Sequence, residues 1–379
     1  MTDTFDGFQL QSTIDVSGTL RLELVELTVS DPAPDEVIVR VEASPINPSD
    51  LAVMLGAATA PADLDTLNLT GSQDRPIVLA KVSPESMGAL SARIGIGITP
   101  GAEGAGLVVA AGRNARHFLG RRVSMRGGGM YAQYRKLRMF DCVALPDDLD
   151  VSSGAAMFIN PLTALGFVET MRTEGFSGLV HLAAASNLGQ MLNRLCIADD
   201  IPLINVVRST EQARLLLDQG ARYVLDSLSP DYESELREAL YETGITLAFD
   251  PIGGGSQASQ VLAAMEAAAT RDVSTYNRYG SEVFKQLYIY GLLNPSPTVL
   301  DRWVGFAWSI GGWLLTHRLQ RFGKDGEARM LERVRNELTT TFASHYTARL
   351  GLRDVLNPDI IRAYSRKATG EKFLVTPQD

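Results

Sequence analysis

Residues 178–196 read GLVHLAAASNLGQMLNRLC. The apolar run LVHLAAA suits a buried strand, and the polar pair Ser186–Asn187 suits a tight turn. GQMLNRLC then continues with the spacing of an amphipathic helix. Alternation of the same kind continues downstream. Strands LINVV, RYVLD and TLAFD are interleaved with helices TEQARLLLDQ, DYESELREALYE and SQASQVLAAMEAAA, and QLYIYGLLN reads as the last strand. Strands alternating with helices over short connections mean βαβ units and a parallel sheet. The chain is therefore expected to be α/β, with a doubly wound domain in its second half.

The turn itself has the place, though not the glycines, of the G-x-G-x-x-G fingerprint. Ala184 and Ser186 occupy the first two glycine positions, and Gly189 keeps the third. In that fingerprint the first glycine makes the turn, the second admits a pyrophosphate, and the third lets the helix pack on the strand. Ala184 suits the turn if its φ stays negative. The Ser186 Cβ narrows the approach, but its hydroxyl can donate to a phosphate oxygen. Asn187 tolerates left-handed geometry, and the helix start offers N–H groups and a positive dipole end. Taken alone, the motif is equally an ordinary strand–turn–helix. The end of the next strand adds to it: Arg208 stands 19 residues after Gly189, where a ribose-binding acid is usual. A guanidinium clasps a 2′-phosphate with two bonds, and Ser209 and Thr210 can cap the next helix and donate to the same group. This favours NADPH over NADH; the bland alternative is an exposed strand-end arginine.

The first half is β-rich. RLELVELTV and EVIVRVEAS alternate apolar and polar residues around SDPAPDE, as in a meander or hairpin, and GLVVAAG, RRVSMRG, YAQYRKL and DCVAL follow as short strands. Residues 56–98 read as a long irregular insertion whose pieces RPIVLAKV and IGIGI pack. It either shapes a pocket or is a surface insertion. The tryptophans, 303, 308 and 313, lie in WVGFAWSIGGWLL, expected as a short buried helix in the core and at a subunit interface. The helix EARMLERVRNELTTTF and a strand-like tail, DIIRAYSRKATGEKFLVTP, end the chain. The expected domains are 1–157, carrying the insertion, 158–302, and a C-terminal segment 303–379 that returns to the first.

The net charge of −9 argues against a nucleic-acid surface. Two cysteines, Cys142 and Cys196, exclude a disulfide framework and a four-cysteine zinc site. MTDTFDGFQL has no export-signal pattern, and no apolar stretch reaches the roughly 20 residues of a membrane span. A cytoplasmic protein is expected.

VEASPINPSDL, GAEGAGLVVAAG, NPLTAL and NVVR together resemble the medium-chain dehydrogenase/reductase superfamily, from about residue 20 to the C-terminus. INPSD followed by NPLTA is similar to its zinc-independent branch of quinone oxidoreductases and 2-enoyl reductases. The resemblance implies a GroES-like catalytic domain, a Rossmann cofactor domain and a homodimer through the edge strand YIYGLL. Zinc-dependent relatives carry a cysteine in the first loop and a Gly-His-Glu motif. Here Asn47 and Ala102 stand at those places, and Glu103 alone does not hold a catalytic zinc. The histidines, at 117, 181, 317 and 345, show no paired ligand spacing.

Without a Lewis acid, hydride delivery to an already polarised acceptor is the easier chemistry. An enone, enoyl group or quinone is the expected substrate. Ketone or aldehyde reduction, and cofactor binding without catalysis, are the alternatives. The resemblance places Asn47 beside the nicotinamide, with Thr163, Tyr276 and Leu292 on the same side; turn and helix-start chemistry is the bland reading of Asn47 and Thr163. Ser49 or Asp50 is expected to cap the helix after Asn47. Enoyl reductases of this type place a tyrosine soon after NPSD, but LAVMLGAATA has none, which favours a quinone or unsaturated ketone over an acyl thioester. Tyr131 and Tyr279 are the candidate replacements as proton donor.

Overall fold

A computed structural model describes residues 4–56 and 64–379. Residues 57–63, part of the insertion and of LAVMLGAATA, lie outside the described residues. The chain divides into two compact units: one runs through Ile159 and resumes at Glu337–Asp379, and the other is Asn160–Asn336.

The first unit is built on two sheets. In one, Phe5–Ile14, Thr19–Val29, Pro76–Lys81 and Asn68–Gly71 pair antiparallel in that order. The other has seven strands, with Glu36–Pro45 pairing Glu103–Ala111 and Tyr134–Arg138. Thr19–Val29 and Glu36–Pro45 therefore do not form the expected hairpin; each joins a different sheet. The period of two marks both strands but not their partners, which come from distant sequence.

The described part of the insertion contributes to a sheet and to the core. RPIVLAKV supplies the strand Pro76–Lys81, and Leu67, Val78, Ala80 and Val82 enter the same core as Leu10, Ile14, Leu20 and Leu22. Its Arg93 donates to the carbonyls of Ala52 and Val53, near the end of the helix Pro48–Leu55. At the tail, Phe373–Val375 pairs antiparallel with Ser44–Pro45.

The second unit holds six parallel strands in the order Tyr223–Asp226, Leu203–Val207, Leu179–Leu182, Leu247–Asp250, Lys285–Ile289 and Trp308–Gly312. Numbered along the chain this is 3-2-1-4-5-6, whose switch point lies beside Leu179–Leu182. Three expectations are corrected here. QLYIYGLLN is the fifth strand and lies inside the sheet, so YIYGLL is not an edge; the edge is Trp308–Gly312. The tryptophan segment is that strand rather than a helix: Trp313 is buried, while Trp303 is exposed. Finally, residues 303–336 belong with this unit, because Trp308–Gly312 completes its sheet, and the return to the first unit starts only at Glu337. The last long helix also begins earlier than expected. It runs Leu315–Asn336, broken at Gly323 (φ 74°, ψ 172°).

Candidate functional site

The strand Leu179–Leu182 is wholly buried and ends at the switch point. The chain then turns through Ala183, whose φ of 54° is left-handed. The turn thus falls one residue before Ala184, which is not among the positive-φ residues. Ser186 is the N-cap of the helix Asn187–Ala198, its Oγ accepting from the Gly189 N–H at 3.1 Å. That bond uses an acceptor lone pair and leaves the hydroxyl proton to donate. Gly189 packs against the strand so closely that a Cβ there would lie 2.1 Å from the Ala184 carbonyl oxygen. This is the packing task of the third glycine, carried out without the other two.

At the end of the neighbouring strand Arg208 is exposed, and among the described residues its guanidinium has no ion pair or hydrogen bond. Ser209 caps the helix Thr210–Asp218, accepting from the Gln212 N–H at 3.3 Å. Thr163 is buried in the helix Ile159–Glu174. Tyr276 and Leu292 are exposed. Tyr279 is also exposed, its hydroxyl accepting from Arg278.

In the first unit, Asn47 begins the helix Pro48–Leu55 and is buried. Its Nδ2 donates to Glu103 Oε1 at 2.9 Å, and its backbone N–H donates to Asp50 Oδ2 at 2.9 Å. The N-cap residue is therefore Asn47, not Ser49 or Asp50; Asp50 reaches back to it from the third helical position, and its other oxygen accepts from the Ala102 N–H at 2.8 Å. The Asp50 N–H bonds the Asn47 backbone carbonyl at 2.9 Å, so the neighbouring Asn47 Oδ1 is left without a hydrogen bond among the described residues. Glu103 Oε2 accepts from the N–H groups of Phe158 (2.7 Å) and Ile159 (2.9 Å).

Lys372, from the returning tail, is buried with Nζ lacking a hydrogen-bond partner among the described residues. Burial pushes its pKa down to about 8 against the opposing pull of Glu103 and Asp50. Burial likewise raises Asp50 to about 7, and raises Glu103 against the pull of Lys372. The sequence reading weighed Glu103 only as a metal ligand and missed Lys372. The available signal was a lysine next to the apolar strand FLV.

Tyr131 is corrected from candidate proton donor to core residue. It is fully enclosed, and its hydroxyl donates to the Pro45 carbonyl at 3.1 Å. His181 is likewise core: its Nε2 meets the Tyr290 hydroxyl at 2.8 Å, and burial lowers its pKa to about 3. Among the described residues no three His, Cys, Asp or Glu side chains converge as a metal site, and no helix is long and apolar enough to cross a membrane.

A β-rich unit that recovers its last strands from the C-terminus, together with a 3-2-1-4-5-6 parallel sheet, is the fold seen in solved structures of quinone reductases and of an enoyl reductase. No family model matches the chain. It is 27% identical over 165 residues to the synaptic vesicle membrane protein VAT-1 homolog of Rattus norvegicus, covering 42% of this chain and 40% of that protein. It is 28% identical over 221 residues to the mitochondrial enoyl-[acyl-carrier-protein] reductase of Xenopus tropicalis, covering 54% and 51%. The matches thus span about half the length of these relatives, or less. Over the whole of both chains it superposes on a putative NADPH:quinone reductase from Mesorhizobium loti, with TM-score 0.73 and 24% identity.

Proposed function

We propose that the chain is an NADPH-dependent, zinc-independent reductase of quinones or of double bonds conjugated to a carbonyl. The observation that carries this reading is the pairing of a tightly packed strand–turn–helix at the switch point with an unpaired arginine at the end of the next strand. The residues present fit the dinucleotide: Gly189 seats the helix start close against the strand, the Ser186 proton is free to donate, and Arg208 with Ser209 would hold a 2′-phosphate. Ala184 follows the left-handed turn at Ala183, and Asn187 is the first helical residue. Asn47, Thr163, Tyr276 and Leu292 are assigned to the nicotinamide side on the strength of the motif resemblance. The bound nicotinamide would supply a hydride, and the protein's part is orientation and charge placement.

A quinone or unsaturated ketone is preferred as substrate, because Tyr131 is already bonded to a backbone carbonyl. Tyr279 keeps an exposed hydroxyl and remains the candidate donor. We further propose a cytoplasmic homodimer pairing through the open edge Trp308–Gly312, near the exposed Trp303, Phe306 and Leu314; light scattering that finds a monomer at micromolar concentration would remove the dimer. The function is tested by titrating NADPH and NADH by fluorescence. A panel of quinones, enones and enoyl thioesters is then followed by loss of reduced-cofactor absorbance. Selective NADPH binding with turnover of at least one acceptor is expected. Absence of NADPH binding refutes the reading.

A further inference from the structure

We propose that Glu103 is a positioning residue of the reductase site: its carboxylate fixes the Asn47 side-chain amide so that the carbonyl oxygen, not the NH2, is left to accept a hydrogen bond from the bound ligand. The inference rests on the reductase reading for the identity of the ligand, but its geometry stands on the first unit alone.

Three N–H donors converge on this carboxylate: Asn47 Nδ2 and the backbone of Phe158 and Ile159. An ionised carboxylate only accepts, so it can face only the NH2 edge of Asn47. A protonated carboxyl would set an O–H against one of the three N–H groups. The nearby Lys372 ammonium favours the ionised form against the cost of burial. Asp50 completes the arrangement by gripping the backbone of Asn47 and of Ala102, the residue before Glu103. The two carboxylates hold Asn47 at both ends, and Oδ1 is the acceptor left over. A buried acceptor without a partner is costly, and it calls for an N–H or O–H of the ligand.

Glu103→Gln tests this with little change of shape. Gln Oε1 would keep the Phe158 and Ile159 N–H groups, and its NH2 would then face Asn47. Asn47 must flip, presenting NH2 where it presented oxygen. The expected result is a loss of about 10- to 100-fold in kcat/KM, with the melting temperature within a few degrees of wild type. Asn47→Asp added to Glu103→Gln restores an acceptor facing the ligand and should recover most of the loss. Asn47→Ser keeps a residue suited to the N-cap position but removes the amide, and should retain stability but not activity. Unchanged kinetics in Glu103→Gln overturns the proposal, as does full activity in Asn47→Ser. If Glu103→Gln alone fails to fold, the double variant carries the test: a folded double variant no more active than Asn47→Ser overturns it. Wild-type protein that binds no NADPH refutes the reductase reading instead, and is recognised before any variant is made.

Discussion

Replacing Gly189 by alanine tests the proposed cofactor turn most directly. The added Cβ would sit 2.1 Å from the Ala184 oxygen, 2.6 Å from its carbonyl carbon and 2.7 Å from its Cα. Ordinary contact begins near 3.4 Å, so the helix start must retreat by about 1.3 Å. No side chain can swing aside, because all three obstacles are backbone atoms. The retreat would lift Met191, Leu192 and Leu195 from the core and stretch the 3.1 Å bond from the Gly189 N–H to Ser186. Overpacking of this kind costs about 1–3 kcal/mol, which for a unit of this size lowers Tm by roughly 2–12 °C. The same movement carries the helix-start N–H groups away from a bound phosphate, and misplacement by about 1 Å can cost on the order of 100-fold. Thermal melting and NADPH fluorescence titration measure the two effects separately. A variant with wild-type Tm and wild-type NADPH affinity would refute both the packing argument and the phosphate site.

Arg208→Ala should weaken NADPH by about 10- to 100-fold, the value of a charge-assisted pair, and leave NADH nearly unchanged; equal loss for both cofactors excludes a 2′-phosphate role. Ser186→Gly removes a helix cap at a cost of only a few tenths of a kcal/mol and should hold or improve NADPH affinity, whereas a large loss would make the hydroxyl itself a ligand. Ala183→Gly relieves a left-handed alanine and should raise stability by about 1 kcal/mol; a lower Tm would show that the residue is unstrained. His181 is held neutral with its pKa lowered from 6.5 to about 3, so the unfolded chain takes up the proton first and stability is lost as pH falls from 6.5 toward 3. Asp50, raised from 3.8 to about 7, acts in the opposite sense, and its contribution is lost as pH rises through 7. His181→Gln should therefore flatten the acid limb in denaturant melts at several pH values, and an unaltered limb counts against the assignment.

The sequence by itself determined what is local. Period-two and helical patterns located most strands and helices, and 178–196 announced a parallel sheet because strand, turn and helix are covalent neighbours there. The positions of Gly189 and Arg208 were legible for the same reason: each lies at a fixed distance along one βαβ unit. Tertiary structure decided whatever depends on partners far apart in sequence. The strands 19–29 and 36–45 look like a hairpin but join different sheets. Residues 76–81, read as part of an irregular insertion, complete a sheet because Thr19–Val29 offers a free edge. YIYGLL yielded the edge position to Trp308–Gly312, since apolar composition marks a strand without giving its order in the sheet. The Asn47–Glu103–Asp50–Lys372 cluster was likewise out of reach. Its members come from a loop, a strand, a helix and the tail, and only folding places one lysine and two carboxylates in a setting where burial shifts the pKa of each.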